Sequence, residues 1–176
     1  MKKNAWSLIA FVLLLSACSS PVTDELVDYH NDYWLEFESM VEEYDASTQE
    51  VAQLSETSSG FEEAYDLMEE EIMPQIDEMS VFLEEIELEQ EDVQELNQMQ
   101  IDMVDQLHEG MQVQQEAFQL GAEGQIDEAS ELGIQSGEYV EEAMEMQEAF
   151  DERREALWEE YGVEAEEEEE LDDTDL

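Results

Sequence analysis

Val27, His30, Trp34, Phe37, Val41, Tyr44, Thr48 and Val51 are separated by alternating steps of three and four residues. That spacing gathers all eight side chains on one side of an α-helix, whereas a strand would scatter them over both faces. The stretch from Asp24 to about Glu56 is therefore expected to be a helix with one face to bury. Leu26, Tyr33, Met40 and Leu54 widen that face beyond a coiled-coil seam toward a globular core. Thr23 stands where an N-cap belongs, and residues 19–22 before it read as a short tether.

Three more runs follow. Phe61, Tyr65, Met68, Ile72, Ile76, Met79, Phe82, Leu83 and Ile86 form the second, opened by a Ser59…Glu62 capping-box pattern after the break at Thr57–Gly60. Pro74 lies inside it and predicts a kink or local break near Glu70–Met73, because proline cannot donate to the carbonyl four residues back. The third run holds Val93, Leu96, Met103, Val104, Leu107, Met111 and Phe118, and Gly121-Ala122-Glu123-Gly124 ends it. The fourth runs from about Gln125 to Tyr161, with Ala129, Leu132, Ser136, Val140, Ala143, Met146, Phe150, Leu157 and Tyr161 on one stripe and Gly162 as its stop. Gly133, Ser136, Gly137 and Ala143 make its first half small-faced, which suits close approach of a neighbour. Arg153 and Arg154 fall toward its C-terminus, where cations complement the helix dipole.

No Gly or Pro separates the second run from the third. An unbroken helix over 60–120 would be roughly 90 Å long at 1.5 Å per residue, and neighbours half that length would leave it uncovered. A turn at 87–92 instead gives four helices of similar length. Short connections between them predict an all-α, antiparallel up-down four-helix bundle over residues 23–162. Trp34 and Phe37 would then meet Trp158 and Tyr161 at one end, a candidate contact surface. Residues 163–176, a block of like charges, are expected to be a disordered tail.

Charge decides which partners are possible. The chain has 53 Asp and Glu against 4 Lys and Arg, a net charge of −49. Direct nucleic-acid binding is excluded, because it needs Lys and Arg to displace the counterions of phosphate. A single cysteine excludes a disulfide scaffold. Nearly all contacts between charged residues four apart on these helices are repulsive, with no lysine to relieve them. Molar salt shortens the screening length to about 3 Å and removes most of that repulsion. The bias therefore reads as adaptation to a saline or alkaline exterior. The competing account is weak binding of divalent cations, with the acidic tail as a loose sponge.

The first 18 residues, MKKNAWSLIAFVLLLSAC, place Lys2 and Lys3 before an apolar run and small residues before Cys18. This is the order of a secretory signal peptide, and the apolar run is about half the roughly 20 residues that span a bilayer. Leu15-Ser16-Ala17-Cys18 has the form of a bacterial lipoprotein signal. Cleavage before Cys18 would leave a diacylglyceryl group on its thiol, with palmitate among the attached acyl chains. The expected product is anchored to the outer face of the cell membrane, with residues 18–22 as tether. Removal of residues 1–17 would take both lysines, leaving Arg153, Arg154 and two histidines as the only basic side chains.

LSAC at the front, ELVDYHNDYW (25–34), IELEQEDVQEL (86–96) and ALWEEYGV (156–163) together resemble the uncharacterised helical cell-envelope lipoproteins of Gram-positive, Bacillus-type bacteria. The resemblance spans most of the chain after Cys18. It implies a membrane-anchored helical bundle and supplies no catalytic residue. The missing lysines depart from the family pattern and count against electrostatic binding to the wall.

Side chains for chemistry are scarce. A di-metal bundle site needs paired Glu-x-x-His motifs, but His108 follows Asp105 and His30 follows Val27 at that spacing. No EF-hand loop or nucleophile elbow occurs. Ala122–Ala129 resembles the turn of a tetratricopeptide repeat, yet no second copy follows at 34 residues. Nine methionines after Cys18 suit soft-metal binding or a promiscuous groove, and filling of core gaps is the reading adopted. No catalytic residue, metal site or cofactor is assigned. The expected function is non-enzymatic: binding or organising an envelope protein or wall component. The alternative is an extracytoplasmic cation or small-ligand binding protein.

Overall fold

The computed structural model describes residues 20–55 and 60–163. Cys18, the signal segment, Ser59 of the capping box and residues 164–176 of the acidic tail lie outside them. The described residues are all-α and contain no strand. The helices are α1 (Pro21–Asp28), α2 (Leu35–Ser55), α3 (Phe61–Leu67), α4 (Met73–Glu84), α5 (Glu91–Ala122) and α6 (Ile126–Tyr161). Two wider turns, Tyr29–Trp34 and Met68–Ile72, join α1 to α2 and α3 to α4 without breaking the helical backbone. Four rods result and pack as a helical bundle.

The wide turns correct the expected register. The Leu35 N–H donates to the His30 carbonyl and the Met73 N–H to the Met68 carbonyl, five residues back rather than four. Leu26 and Tyr29, the first residue of the wide turn, are buried on one side of it; Trp34, its last residue, and then Phe37, Tyr44 and Val51 are buried on the other. The step from Tyr29 to Trp34 is five residues, which no uniform α-helix keeps on one face. Val27, expected in the core, is exposed, and His30 is only half-buried. At the second wide turn the reason is Pro74. It lacks the N–H that would reach Glu70, and widening the preceding turn takes up that defect without a break.

The first rod also starts earlier than expected. Ser20, not Thr23, is the cap: its Oγ accepts the Thr23 N–H at 3.1 Å, and Pro21 sits in the first turn, where a missing N–H costs nothing. The tether expected over 18–22 therefore gives way to helix at Pro21. Thr23 uses its hydroxyl elsewhere, at 2.8 Å from Ser20 Oγ and donating to the Tyr161 carbonyl at 3.4 Å. The start of the first rod is tied in this way to the end of the fourth.

The turn expected at 87–92 between the second and third rods lies two residues earlier, at Glu85–Gln90, with Glu91 and Asp92 already part of α5. Its fastening comes from far away in sequence. The backbone N–H groups of Glu89 and Gln90 both donate to the Glu25 carboxylate at 2.6 Å. Buried Asn97 donates to the Leu83 carbonyl at 2.9 Å and accepts from the Tyr29 hydroxyl at 3.4 Å. The other two stops are local: Gly124 and Gly162 take left-handed φ values of 82° and 66°, which release the chain from the helix.

The α5–α6 pair is the most extensive interface. Five residues of α6 are buried, Ala129, Ser136, Ala143, Phe150 and Leu157, and they recur every seven residues. A Cβ on Gly110 would lie 2.9 Å from Tyr139 Cβ, so glycine there permits the close approach of the two helices. α1 packs on both α5 and α6, whereas α2 packs on α3 and α4. The bundle is thus closed around α1 and opens along α2.

Candidate functional site: an apolar groove along α2

Where α2 leaves α5 and α6, a groove with a cavity volume of about 690 Å³ remains. Phe37, Val41, Tyr44, Thr48 and Val51 form one wall, and Val104, Leu107, Met111 and Phe118 of α5 face them. Val140, Ala143, Met144 and Gln147 of α6 supply the third side, with Met68 and Met79 from the second rod at the base. Ala143 explains part of the opening. It holds the same heptad phase as Phe150 and Leu157 but has no side chain long enough to bridge toward α2. Glu38 and Asp45 stand on the α2 side. On α6 the groove shares Met144 and Gln147 with a second depression walled by Glu141, Glu145, Glu148, Asp151, Glu152 and Glu155. Met144 is 69% exposed, which leaves an apolar side chain at the boundary between the apolar floor and the acidic flank.

Trp34 and Phe37 stand at one end of this groove. The Trp34 ring stacks on Phe150 at 4.8 Å and lies 6.0 Å from Phe37, and both Trp34 and Phe37 are buried. Trp158 meets His30 edge-on at 5.0 Å, not Trp34. The Arg154 guanidinium fills the space between, 4.8 Å from the Trp34 ring and 5.6 Å from that of Trp158. Tyr161 points another way, and its hydroxyl donates to Asp92 at 2.6 Å. Of the four aromatic residues expected to form one surface, two belong to the groove and two lie beyond it.

The arginines are not dipole caps. Both sit well before the last turn of α6, outside the short range over which a helix terminus acts. Arg153 instead bonds Asp92 at 3.1 Å and Glu95 at 2.7 Å, a link between α6 and the start of α5 whose carboxylates push its pKa up. Arg154 pairs with Asp151 at 3.0 Å.

The two histidines face different neighbours. His30 lies against Trp158, and burial, then the Arg154 charge, lowers its pKa, with Glu38 opposing. His108 lies 3.8 Å from Asp77 and 3.3 Å from Gln112. No group of three or more His, Cys, Asp or Glu suited to a metal occurs among the described residues. Burial also raises the hydroxyl pKa values of Tyr29 and Tyr44. Tyr44 therefore presents the groove with a neutral phenol. No helix among the described residues is long and apolar enough to cross a membrane.

The groove was the feature least visible in sequence. Its walls are the predicted apolar stripes, and only the divergence of α2 decides which parts of those stripes remain uncovered. No protein-family model, curated protein or solved structure matches the chain.

Proposed function

We propose that this chain is a lipid-anchored, non-enzymatic protein of the outer face of the cell membrane. Cys18 carries the lipid, and the apolar groove along α2 binds a component of the envelope. The observation that carries the reading is the groove itself. It is apolar at its base, acidic at its flanks, and falls within the roughly 300–1,000 Å³ of ordinary binding sites. The bundle is taken to be antiparallel and up-down. Three contacts support that topology: Thr23 with Tyr161, Arg153 with Asp92, and Phe61 with Phe118, each joining the start of one rod to the end of another. With that order, a lipid on Cys18, two residues before Ser20, would lie nearest the closed end, and the groove would run away from the membrane.

A small apolar ligand is the second reading, favoured by the same volume and lining. The cation half of that alternative draws on exposed carboxylates, among them those along α6 and those of Glu36, Glu43 and Glu78.

Metabolic palmitate labelling, with Cys18→Ala as control, tests the anchor. A photo-crosslinking residue at Thr48, inside the groove, tests the binding face in living cells, with the exposed turn position Glu87 as comparison. Labelling that depends on Cys18, together with adducts formed only from position 48, is the expected outcome. Equal labelling of the Cys18→Ala chain overturns the anchor, and identical adducts from both positions overturn the groove.

A further inference from the structure

We propose that the occupant of the groove is an amphipathic helix whose apolar face is flanked by Lys and Arg, supplied by another polypeptide. This rests on the groove being the binding face. Shape is the first argument. Phe37, Val41, Tyr44, Thr48, Val51 and Ser55 of α2 step by four and three residues along one wall. Val104, Leu107, Met111, Gln114 and Phe118 of α5 step by three and four along the other. Two seams of this kind bordering one space have the spacing that receives the knobs of a further helix. α2 has 21 residues and is about 32 Å long at 1.5 Å per residue, so its wall matches a helix of about three heptads. The cavity seats the side chains of one helix face, not a whole helix.

Charge selects among apolar occupants. Glu38 and Asp45 line the groove, and Glu141, Glu145, Glu148 and Glu152 extend the acidic flank along α6. Both described arginines are engaged elsewhere, Arg153 with α5 and Arg154 with Asp151 and the aromatic rings. A fatty acid or anionic phospholipid would bring negative charge to this rim, and a second copy of the chain would bring another −49. Basic residues beside an apolar stripe complement it, as oppositely charged flanks do in paired helices. Methionine makes the floor tolerant. Met68, Met79, Met103, Met111 and Met144 are flexible side chains that can repack around different apolar anchors.

The test uses the full chain in 0.5 M NaCl and three labelled 21-residue synthetic peptides followed by fluorescence anisotropy. One carries Leu at heptad core positions and Lys at the flanks; one is its scramble with the same net charge; one has Glu in place of Lys. The amphipathic Lys peptide is expected to bind at least tenfold more tightly than either control. Ala143→Phe, which fills the groove, and Met144→Lys, which reverses its rim at an exposed site that folding tolerates, are each expected to weaken that peptide at least fivefold. Equal binding of the scramble, equal binding of the Glu peptide, or indifference to Met144→Lys overturns the proposal. A fluorescent fatty acid that binds wild type, is lost in Ala143→Phe and is not displaced by the Lys peptide also overturns it, while leaving the groove as a binding face. Failure of the groove reading itself would register separately, as adducts in cells that do not depend on position 48.

Discussion

At one end of the bundle the first rod is held by its neighbours, and at the other it stands apart from two of them. In the closed half, Leu26 and Tyr29 sit opposite the turn at 85–90, Phe150 and Leu157 are fully buried, and Glu25, Thr23 and Asn97 stitch all four rods together through hydrogen bonds. In the open half, Tyr44, Val51, Met103 and Met111 retain 6–8% exposure, and Ala143 and Ser136 hold the heptad positions that Phe150 and Leu157 hold below. One helix thus supplies large side chains to one half and small ones to the other. The closed half is filled by Phe150 and Leu157, whereas the open half keeps a groove beside Ala143 even though Phe37, Met68 and Val104 along it are fully buried.

Truncation of core residues should separate the two halves most strongly. Phe150→Ala is expected to cost about 3–5 kcal/mol, because it removes a fully buried ring and leaves a closed cavity. Met111→Ala is expected to cost about 2 kcal/mol or less, the bottom of the range for such changes, because its side chain already borders open space. Urea unfolding of the two variants measures both. Equal losses would mean that the groove is packed as tightly as the closed end.

A second test asks how far the closed half is optimised. Gln100 on α5 is fully buried, and neither atom of its amide has a hydrogen-bond partner among the described residues. Gln100→Met keeps the length of the side chain and removes the unpaired groups. It is expected to stabilise by about 1–3 kcal/mol, the usual penalty for an unsatisfied buried polar group. A loss of stability would show that the amide makes contacts the apolar replacement cannot.

Much of the fold was legible because the apolar period of four runs is unambiguous. All five buried residues of α6 lie on the stripe read from spacing, and Gly124 and Gly162 stop helices where glycine was expected to. The turn at 85–90 was legible only through length matching, since the group that fastens it, Glu25, is 64 residues away from Glu89 in the chain. Val27 and His30 were misplaced because a pattern of threes and fours contains no sign of a wide turn. The opening at α2 was hidden for a related reason. A sequence shows which residues are apolar, but the angle between rods decides which of them find a partner. Ala143 and Ser136 carried a trace of it, since small residues can serve close approach on one side of a helix and a gap on the other.

Glu25 separates the halves at smaller scale. Its carboxylate takes two backbone N–H groups at the turn, so Glu25→Ala is expected to cost about 1–2 kcal/mol, well below the sum for two charged hydrogen bonds because the site is largely open to water. Hydrogen exchange should accelerate at Glu89 and Gln90, with the groove residues unaffected. Acceleration at Val51 or Phe118 as well would show that the halves do not open independently.

The smallest effect concerns His30, at the junction between the halves. Its pKa is lowered in the folded chain, first by burial and then by the Arg154 charge, so the unfolded chain binds a proton more readily near its ordinary value of about 6.5. Stability is therefore full above that pH and declines as pH falls from about 6.5 through the lower folded value. The wild-type urea midpoint should fall slightly between pH 8 and pH 5.8, and His30→Gln should remove the part of the decline that the imidazole causes. A midpoint with the same pH dependence in both chains would mean that the imidazole finds an equally good setting when charged. Protonation would also place a second cation beside Arg154 and the Trp34 ring that closes the groove. A shift of Trp34 under those conditions would mark this junction as the place where one half feels the other.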